Sequence, residues 1–392
     1  MIRDQKKFDA LISSVRRFVH EIAIPNEERV DREDAVPDDI VAEMRRLGFF
    51  GWSIPEEFGG SGLTSEELCL ANIELSQCAA AYRARCGTNT GIGSEAIIQD
   101  GTPEQKSAYL PGLASGALTG CLAVTEPDAG SDLLGGLSTT AAFRDDSYIL
   151  NGTKRYITNA PISDVFVVLA RTDATRRGAS GTTCFLIDRH TRGLSIGPSH
   201  KKMGQAGSPV SEIYLSDCVV PGSSILGGVP GRGFGSVMKS LNKQRLNLAS
   251  LCVGPAIRLL DEALRHARSR HQSGKPIASH QLVMAMLADS KVELEAARAL
   301  VMQTARRRDQ GEDVTADVSM CKYFASEMVG RGADRAVQIL GGAGYCEDIG
   351  GAVPRFYRDV RLFRIYEGTS QIHQINIAKH LIEENPGSNP IA

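Results

Sequence analysis

The hydrophobic period of this chain changes twice along its length, and that limits the folds open to it. Up to about residue 115 apolar residues recur at helical spacing, and Phe8, Leu11, Ile12, Val15, Phe18 and Val19 make one face. Thr64 with Glu67 reads as a capping box, as does Thr102-Pro103-Glu104-Gln105, the latter with proline at the first helical position. Between about 118 and 228 the pattern shortens to β-branched runs such as Val165-Phe166-Val167-Val168-Leu169 and Ile213-Tyr214-Leu215, separated by glycine and polar turns. From Phe234 long amphipathic helices return, with Ser279 and Thr315 as expected N-caps and Gly311 as a break. Helices, then strands, then helices predict an α+β chain that is mainly α, divided at 1–117, 118–230 and 231–392.

Several function classes fall away on composition. Lys and Arg number 44 against 46 Asp and Glu, so the formal charge of -2 offers no positive field for nucleic acid or anionic lipid. Nine scattered cysteines form no CxxC pair and read as small buried residues in a reducing compartment. No apolar run approaches the roughly 20 residues of a membrane span, and Met1-Ile2-Arg3-Asp4-Gln5-Lys6 has no signal or transit character. For a complete chain the expectation is cytoplasmic. The eight histidines show no metal-ligand spacing, and neither a GxxxxGK[ST] loop nor a GxSxG elbow occurs. Gly91-Ile92-Gly93-Ser94-Glu95-Ala96 fits a loose dinucleotide pattern, but it follows no strand and reads as coincidence among 40 glycines.

The segment Arg364-Ile365-Tyr366-Glu367-Gly368-Thr369-Ser370-Gln371-Ile372 delivers one carboxylate, flanked by glycine, to the start of a helix, where it either serves as a base or merely decorates the helix start. Ile372, Ile375, Ala378, Leu381 and Ile382 predict a helix from about Ser370, whose apolar face would anchor the segment and leave Glu367 beside its start. That is the position of a general base. A helix N-terminus stabilises the carboxylate, whereas apolar neighbours raise its proton affinity, and the sequence leaves these two effects opposed.

Three elements together resemble the acyl-CoA dehydrogenase family: Leu122-Ala123-Val124-Thr125-Glu126-Pro127-Asp128-Ala129-Gly130-Ser131-Asp132 with Asn151-Gly152-Thr153-Lys154-Arg155-Tyr156-Ile157-Thr158-Asn159, the Glu367 segment, and Gln338-Ile339-Leu340-Gly341-Gly342-Ala343-Gly344-Tyr345. Their spacing fits that family from near residue 5 to near residue 383. The resemblance implies a helical domain, a β-barrel-like domain and a four-helix bundle that hold FAD. Leu122, Val124, Thr125, Gly130 and Ser131 would contact the flavin, Tyr156 would cover one ring face where tryptophan is often found, and Thr158 would lie near N5. Arg270 would reach the pyrophosphate of a neighbouring subunit's flavin, with Gln281, Gln338, Gly341, Gly342, Thr369 and Gln371 as further contacts. Ser273 stands where the family commonly has phenylalanine.

For substrate, the resemblance assigns Ser131, Asn242, Arg245, Tyr366 and Gly368 to the acyl thioester. Some relatives place the base at the position held here by Gln244, which cannot accept a proton at neutral pH, so Glu367 remains. The implied reaction is removal of the α proton by Glu367 as hydride leaves the β carbon for the flavin, giving a trans-2-enoyl-CoA from a short- or medium-chain acyl-CoA. Electrons would pass to an electron-transfer flavoprotein, and the assembly would be a homotetramer. An oxidase on the same fold, a carrier-protein-tethered substrate and a silent scaffold are the alternatives. Arg83, in Ala80-Ala81-Tyr82-Arg83-Ala84-Arg85, either turns to solvent or a structural acid, or meets a terminal carboxylate as in glutaryl-CoA dehydrogenases.

Overall fold

The computed structural model describes residues 1–176 and 178–384. Helices run to Ser115, strands occupy Gly120 to Pro221, and helices resume at Gly233. The N-terminal helix Gln5–Arg17 continues through a π-turn at Phe18–Ala23; Phe8 is buried, and Val15, Phe18 and Val19 share a core cluster with Phe49, Trp52 and Tyr82. Both expected capping boxes form. The Thr64 hydroxyl accepts from the Glu67 N–H at 3.2 Å while Glu67 accepts from the Thr64 N–H at 3.0 Å, and Thr102 and Gln105 do the same. Each cap contributes about 1 kcal/mol.

The middle domain is one curled seven-stranded sheet. Its path runs Gly120–Ala123, Val165–Arg171, Thr140–Arg144, Ser147–Thr158, Val210–Pro221 and Leu194–Ile196, with Thr182–Asp188 pairing the far side of Val165–Arg171. Strand Val165–Arg171 is buried from Val165 to Ala170 because both of its faces meet a core. Val165, Val167 and Leu169 face a cluster with Ile54, Ile97, Leu110 and Leu113, whereas Phe166, Val168 and Ala170 face the interior of the curl with Phe185, Ile213 and Leu215.

The C-terminal domain packs Gly233–Ser269, Gln281–Asp309, Thr315–Leu340 and Ser370–Glu384. Gly311 breaks the chain at φ 82°, as expected. The two other expected caps do not hold. Ser279 closes a 3-10 turn and His280 is the N-cap of Gln281–Asp309. Thr315 is already helical, and the Asp313 carboxylate accepts both its N–H (2.9 Å) and its hydroxyl (2.7 Å). At the second helix Asp313 takes the N–H that a Thr315 cap would have left to the helix, and at the first no side chain caps the start at all. Among the cysteines Cys346 is exposed, the exception to the expectation that all are buried. Among the described residues, no helix is long and apolar enough to cross a membrane.

Candidate active site

A cavity of about 260 Å³ opens where the three domains meet. One wall is a stripe of the Gly233–Ser269 helix: Leu241, Gln244, Leu248, Leu251 and Pro255 lie three or four residues apart, so one helical face lines the space. The Ala80–Gly87 helix supplies Arg83, and the turn after Ala352–Asp359 supplies Phe363, Tyr366, Glu367 and Gly368. The sheet closes the opposite side with Leu122, Val124, Thr125, Gly130, Tyr156 and Thr158.

Glu367 and Gly368 both have left-handed backbones, at φ 56° and 97°. For glutamate this costs on the order of 1 kcal/mol, and it turns the side chain into the cavity. The segment is fixed by side chains from elsewhere: the Glu367 carbonyl lies 3.4 Å from Arg245 Nε and 3.3 Å from His373 Nε2, and the Gly368 carbonyl accepts from Lys322 Nζ. The carboxylate itself is less served, since Oε2 is buried and has no hydrogen-bond partner. Burial pushes Glu367 up to about 7, against the pull of Lys322, Arg83 and Arg245. Desolvation therefore wins the contest that the sequence left open. His373, buried beside the same cations, is held down to about 3 and stays neutral.

The apolar face expected to anchor this segment does not do so. Ile375, Ala378, Leu381 and Ile382 are exposed, and the helix is held through its buried end, where the Ser370 hydroxyl donates to Glu327 at 2.6 Å and His373 packs inside.

On the sheet side a second buried carboxylate braces the loop. Glu126 Oε1 accepts from Lys154 Nζ at 2.7 Å, both side chains fully buried, while Oε2 accepts from Ser138 and the Thr139 N–H reaches Oε1 at 3.0 Å. Lys154 also donates to the Val124 carbonyl at 3.3 Å, tying the strand to the loop that follows. A register shift between Lys154 and Ile157 then leaves Tyr156 at φ 59° with its ring 62% exposed at the cavity edge. No Cβ contact would arise at Gly130, so the loop presents open backbone there.

Family profiles described as the N-terminal, middle and C-terminal domains of acyl-CoA dehydrogenase match residues 5–117, 121–218 and 231–382. The chain belongs to the acyl-CoA dehydrogenase family. It is 38% identical to a 3-(aryl)acrylate reductase of Clostridium sporogenes, over 94% of this chain and 96% of that one. It is equally 38% identical to the caffeyl-CoA reductase-Etf complex subunit CarC of Acetobacterium woodii, over 91% and 93%. Among solved structures, butyryl-CoA dehydrogenase from Megasphaera elsdenii superposes with TM-score 0.92 at 32% identity, covering 97% of this chain and all of that one. A glutaryl-coenzyme A dehydrogenase in complex with glutaryl-CoA superposes with TM-score 0.90 at 35% identity, covering 98% and 97%.

Against this acyl-CoA dehydrogenase frame the expected residues divide into two groups. Leu122, Val124, Thr125, Gly130, Tyr156, Thr158, Arg83, Tyr366, Glu367 and Gly368 line the one cavity. Arg245 stands just behind it, with Asn242 accepting from its guanidinium at 2.7 Å. Ser131, Arg270, Gln281, Gln338, Gly341, Gly342 and Gln371 are exposed and outside it, and Thr369 is half-buried at the helix start, where its hydroxyl accepts from the Ile372 N–H. Gly341, at φ 61° and ψ -137°, adopts a conformation open essentially to glycine alone.

Arg83 neither turns to solvent nor meets an acid. It is 6% exposed, donates from Nε to Asn72 at 2.8 Å, and occupies space that Gly87 leaves free. The Gly91 and Gly93 pair serves packing: a Cβ at Gly91 would fall 2.5 Å from Gln244 Oε1, and one at Gly93 2.5 Å from the Gly120 backbone. Lys322, His373, Asn72 and Gln205 escaped sequence reasoning. Lys322 left one trace, a charge on the apolar stripe Val318, Cys321, Ala325 and Val329.

Proposed function

We propose that this chain is an FAD-dependent dehydrogenase of short- or medium-chain acyl-CoA thioesters, with Glu367 as the base that takes the α proton. The observation that carries this reading is the orphaned Oε2 of Glu367 in the cavity, on a carboxyl whose proton affinity sits near 7. Such a group is ionised for part of the population at neutral pH and basic enough to abstract a weakly acidic proton. Gln244, in the rival position, lines the same cavity and has an unpartnered Nε2 but no basicity.

The residues fit the cofactor. Open backbone at Gly130, the displayed ring of Tyr156 and the hydroxyls of Thr125 and Thr158 sit on one edge of the cavity, suited to the polar rim and face of a flavin. Bound there, FAD supplies the acceptor for the hydride equivalent that leaves the β carbon. The chain's own part is to hold the thioester against Glu367, take up the α proton on Oε2, and offer the Glu367 main-chain N–H to the negative charge growing on the thioester oxygen. The product is the trans-2-enoyl thioester. With Glu367 balanced near neutrality the same residues serve the reverse direction, the one named for the two reductase relatives.

Arg270, Gln281, Gln338, Gly341, Gly342, Thr369 and Gln371 are assigned to the flavin of a second copy of the chain, since they lie outside this cavity. An assembly, taken to be a homotetramer, is supported by apolar residues displayed on the same bundle: Leu282 is 82% exposed, Tyr345 85% and Ile382 72%. An electron-transfer flavoprotein is the proposed electron partner, in line with the Etf complex of the Acetobacterium relative.

A second reading concerns the acyl chain, and the burial of Arg83 in the cavity favours it. A guanidinium beside hydrocarbon is costly unless the substrate brings an acceptor. A short acyl chain with a polar or carboxylate terminus would supply one. Anaerobic titration with butyryl-CoA, hexanoyl-CoA and glutaryl-CoA, read as bleaching of the flavin band, tests both readings. Bleaching by none of them defeats the dehydrogenase assignment. Bleaching by the monocarboxylic thioesters alone, with rates unchanged in Arg83→Ala, removes the dicarboxylate reading.

A further inference from the structure

Lys322 is a lysine without a counter-ion in the middle of the helical bundle. Its side chain is fully buried on the Thr315–Leu340 helix, and no carboxylate lies within ion-pair distance among the described residues. Glu327, one turn further along the same helix, is already committed to the Ser370 hydroxyl at 2.6 Å and Arg364 at 3.5 Å. Burying an ammonium for nothing is expensive. Lys322 is directed at the Gly368 carbonyl, 2.5 Å away, immediately after the base.

The groups that face Glu367 come from four elements: Lys322 from the Thr315–Leu340 helix, Arg245 and Cys252 from the Gly233–Ser269 helix, Arg83 from Ala80–Gly87, and Tyr366 and His373 from its own segment. Tyr366 and Cys252 are un-ionised, their burial raising both, and His373 is neutral. Three cations remain. Arg245 divides its donors between Asn242 and the Glu367 carbonyl, and Arg83 is bound to Asn72. Of the three cations, Lys322 is the one whose hydrogen bond goes to the turn and nowhere else. The turn needs such a hold, because two successive left-handed residues, one a glutamate, do not persist without external contacts.

We propose that Lys322 is a positioning residue for the base: its ammonium clamps the Gly368 carbonyl, keeps the Glu367–Gly368 turn left-handed, and steadies the carboxylate's negative charge without bonding to it. This rests on Glu367 being the base. Lysine suits the task because a compact point charge supports an anion at a distance while leaving both carboxylate oxygens free for the substrate.

The test uses Lys322→Gln and Lys322→Met, which remove the charge at similar side-chain length, together with Lys322→Arg, which keeps it. In FAD-loaded enzyme the acid limb of the pH profile for anaerobic flavin bleaching by butyryl-CoA moves upward by about one pH unit in the two neutral variants, and the arginine variant returns toward wild type. Infrared difference titration of the flavin-free protein, with the Glu367 band assigned by its loss in Glu367→Gln, shows the same upward displacement. This second readout stands even where no acyl-CoA reduces the flavin, so failure of the dehydrogenase reading stays distinct from failure of this one. A merely structural lysine would lower the melting temperature and leave both titrations in place, and that result overturns the proposal. Where the neutral variants do not fold, Lys322→Arg decides: a Glu367 titration at its wild-type position supports the proposal, and a displaced one defeats it.

Discussion

Glu126 and Glu367 are two glutamates beside buried lysines on opposite sides of one cavity, and they behave in opposite ways. Glu126 meets Lys154 directly and takes three further donors across its two oxygens; burial opposes its charge, yet these partners outweigh it and hold the carboxyl down to about 2. Glu367 faces three cations, but none bonds to its carboxylate, and burial lifts it to about 7. The difference lies in where the lysine points. Lys154 bonds to the carboxylate and makes a brace, whereas Lys322 bonds to the neighbouring main chain and leaves Glu367 Oε2 without a partner. The charge of Lys154 in direct contact, together with filled hydrogen bonds, holds Glu126 ionised, and Glu367 has neither at its carboxylate.

The largest expected effect comes from removing Glu367, the proposed base. Glu367→Gln should retain FAD and assembly while losing substrate-dependent flavin bleaching by roughly 10²- to 10⁴-fold, the scale of a lost general base. Stopped-flow absorbance measures it, and near-normal bleaching would break the contrast at its centre.

Next is the brace. Lys154→Met strands the Glu126 carboxylate in a buried site, and thermal or urea unfolding should report a loss of about 3–5 kcal/mol. Adding Glu126→Leu to that variant should restore part of the loss, since the cost arises from an unpaired charge. A double variant as unstable as the single one would show that the pair contributes packing alone.

The smallest effect is a pH dependence of opposite sign at the two sites. Glu367 is raised in the folded state above its ordinary 4.5, so the folded protein binds more protons than the unfolded one between 4.5 and about 7, and stability falls as pH rises through that window. Glu126 is lowered to about 2, so its contribution is present above 4.5 and is lost as pH falls toward 2. Glu367→Gln should therefore be more stable than wild type at pH 8, by on the order of 1–3 kcal/mol, with the gap closing near pH 4.5. Melting temperatures at the two pH values that differ equally between the proteins would contradict the raised proton affinity of Glu367.

Sequence by itself determined the order of helices, strands and helices, because hydrophobic period and capping boxes act within a few residues. It also put Glu367 forward as the proposed base, since the motif that carries it is contiguous and Gln244 removes the rival, and the structure places that residue in the cavity. It misplaced the caps of the later helices and the anchor of Ser370–Glu384, where Asp313 accepts at one helix start, no side chain caps the other, and an exposed face resembles a buried one. Only the tertiary structure decided the protonation state of Glu367, the burial of Arg83 and the aim of Lys322. Those depend on desolvation and on partners brought from helices tens to hundreds of residues away: Arg83, Arg245 and Lys322 converge on one turn, and no local pattern in the chain records how far an ammonium lies from a carboxylate.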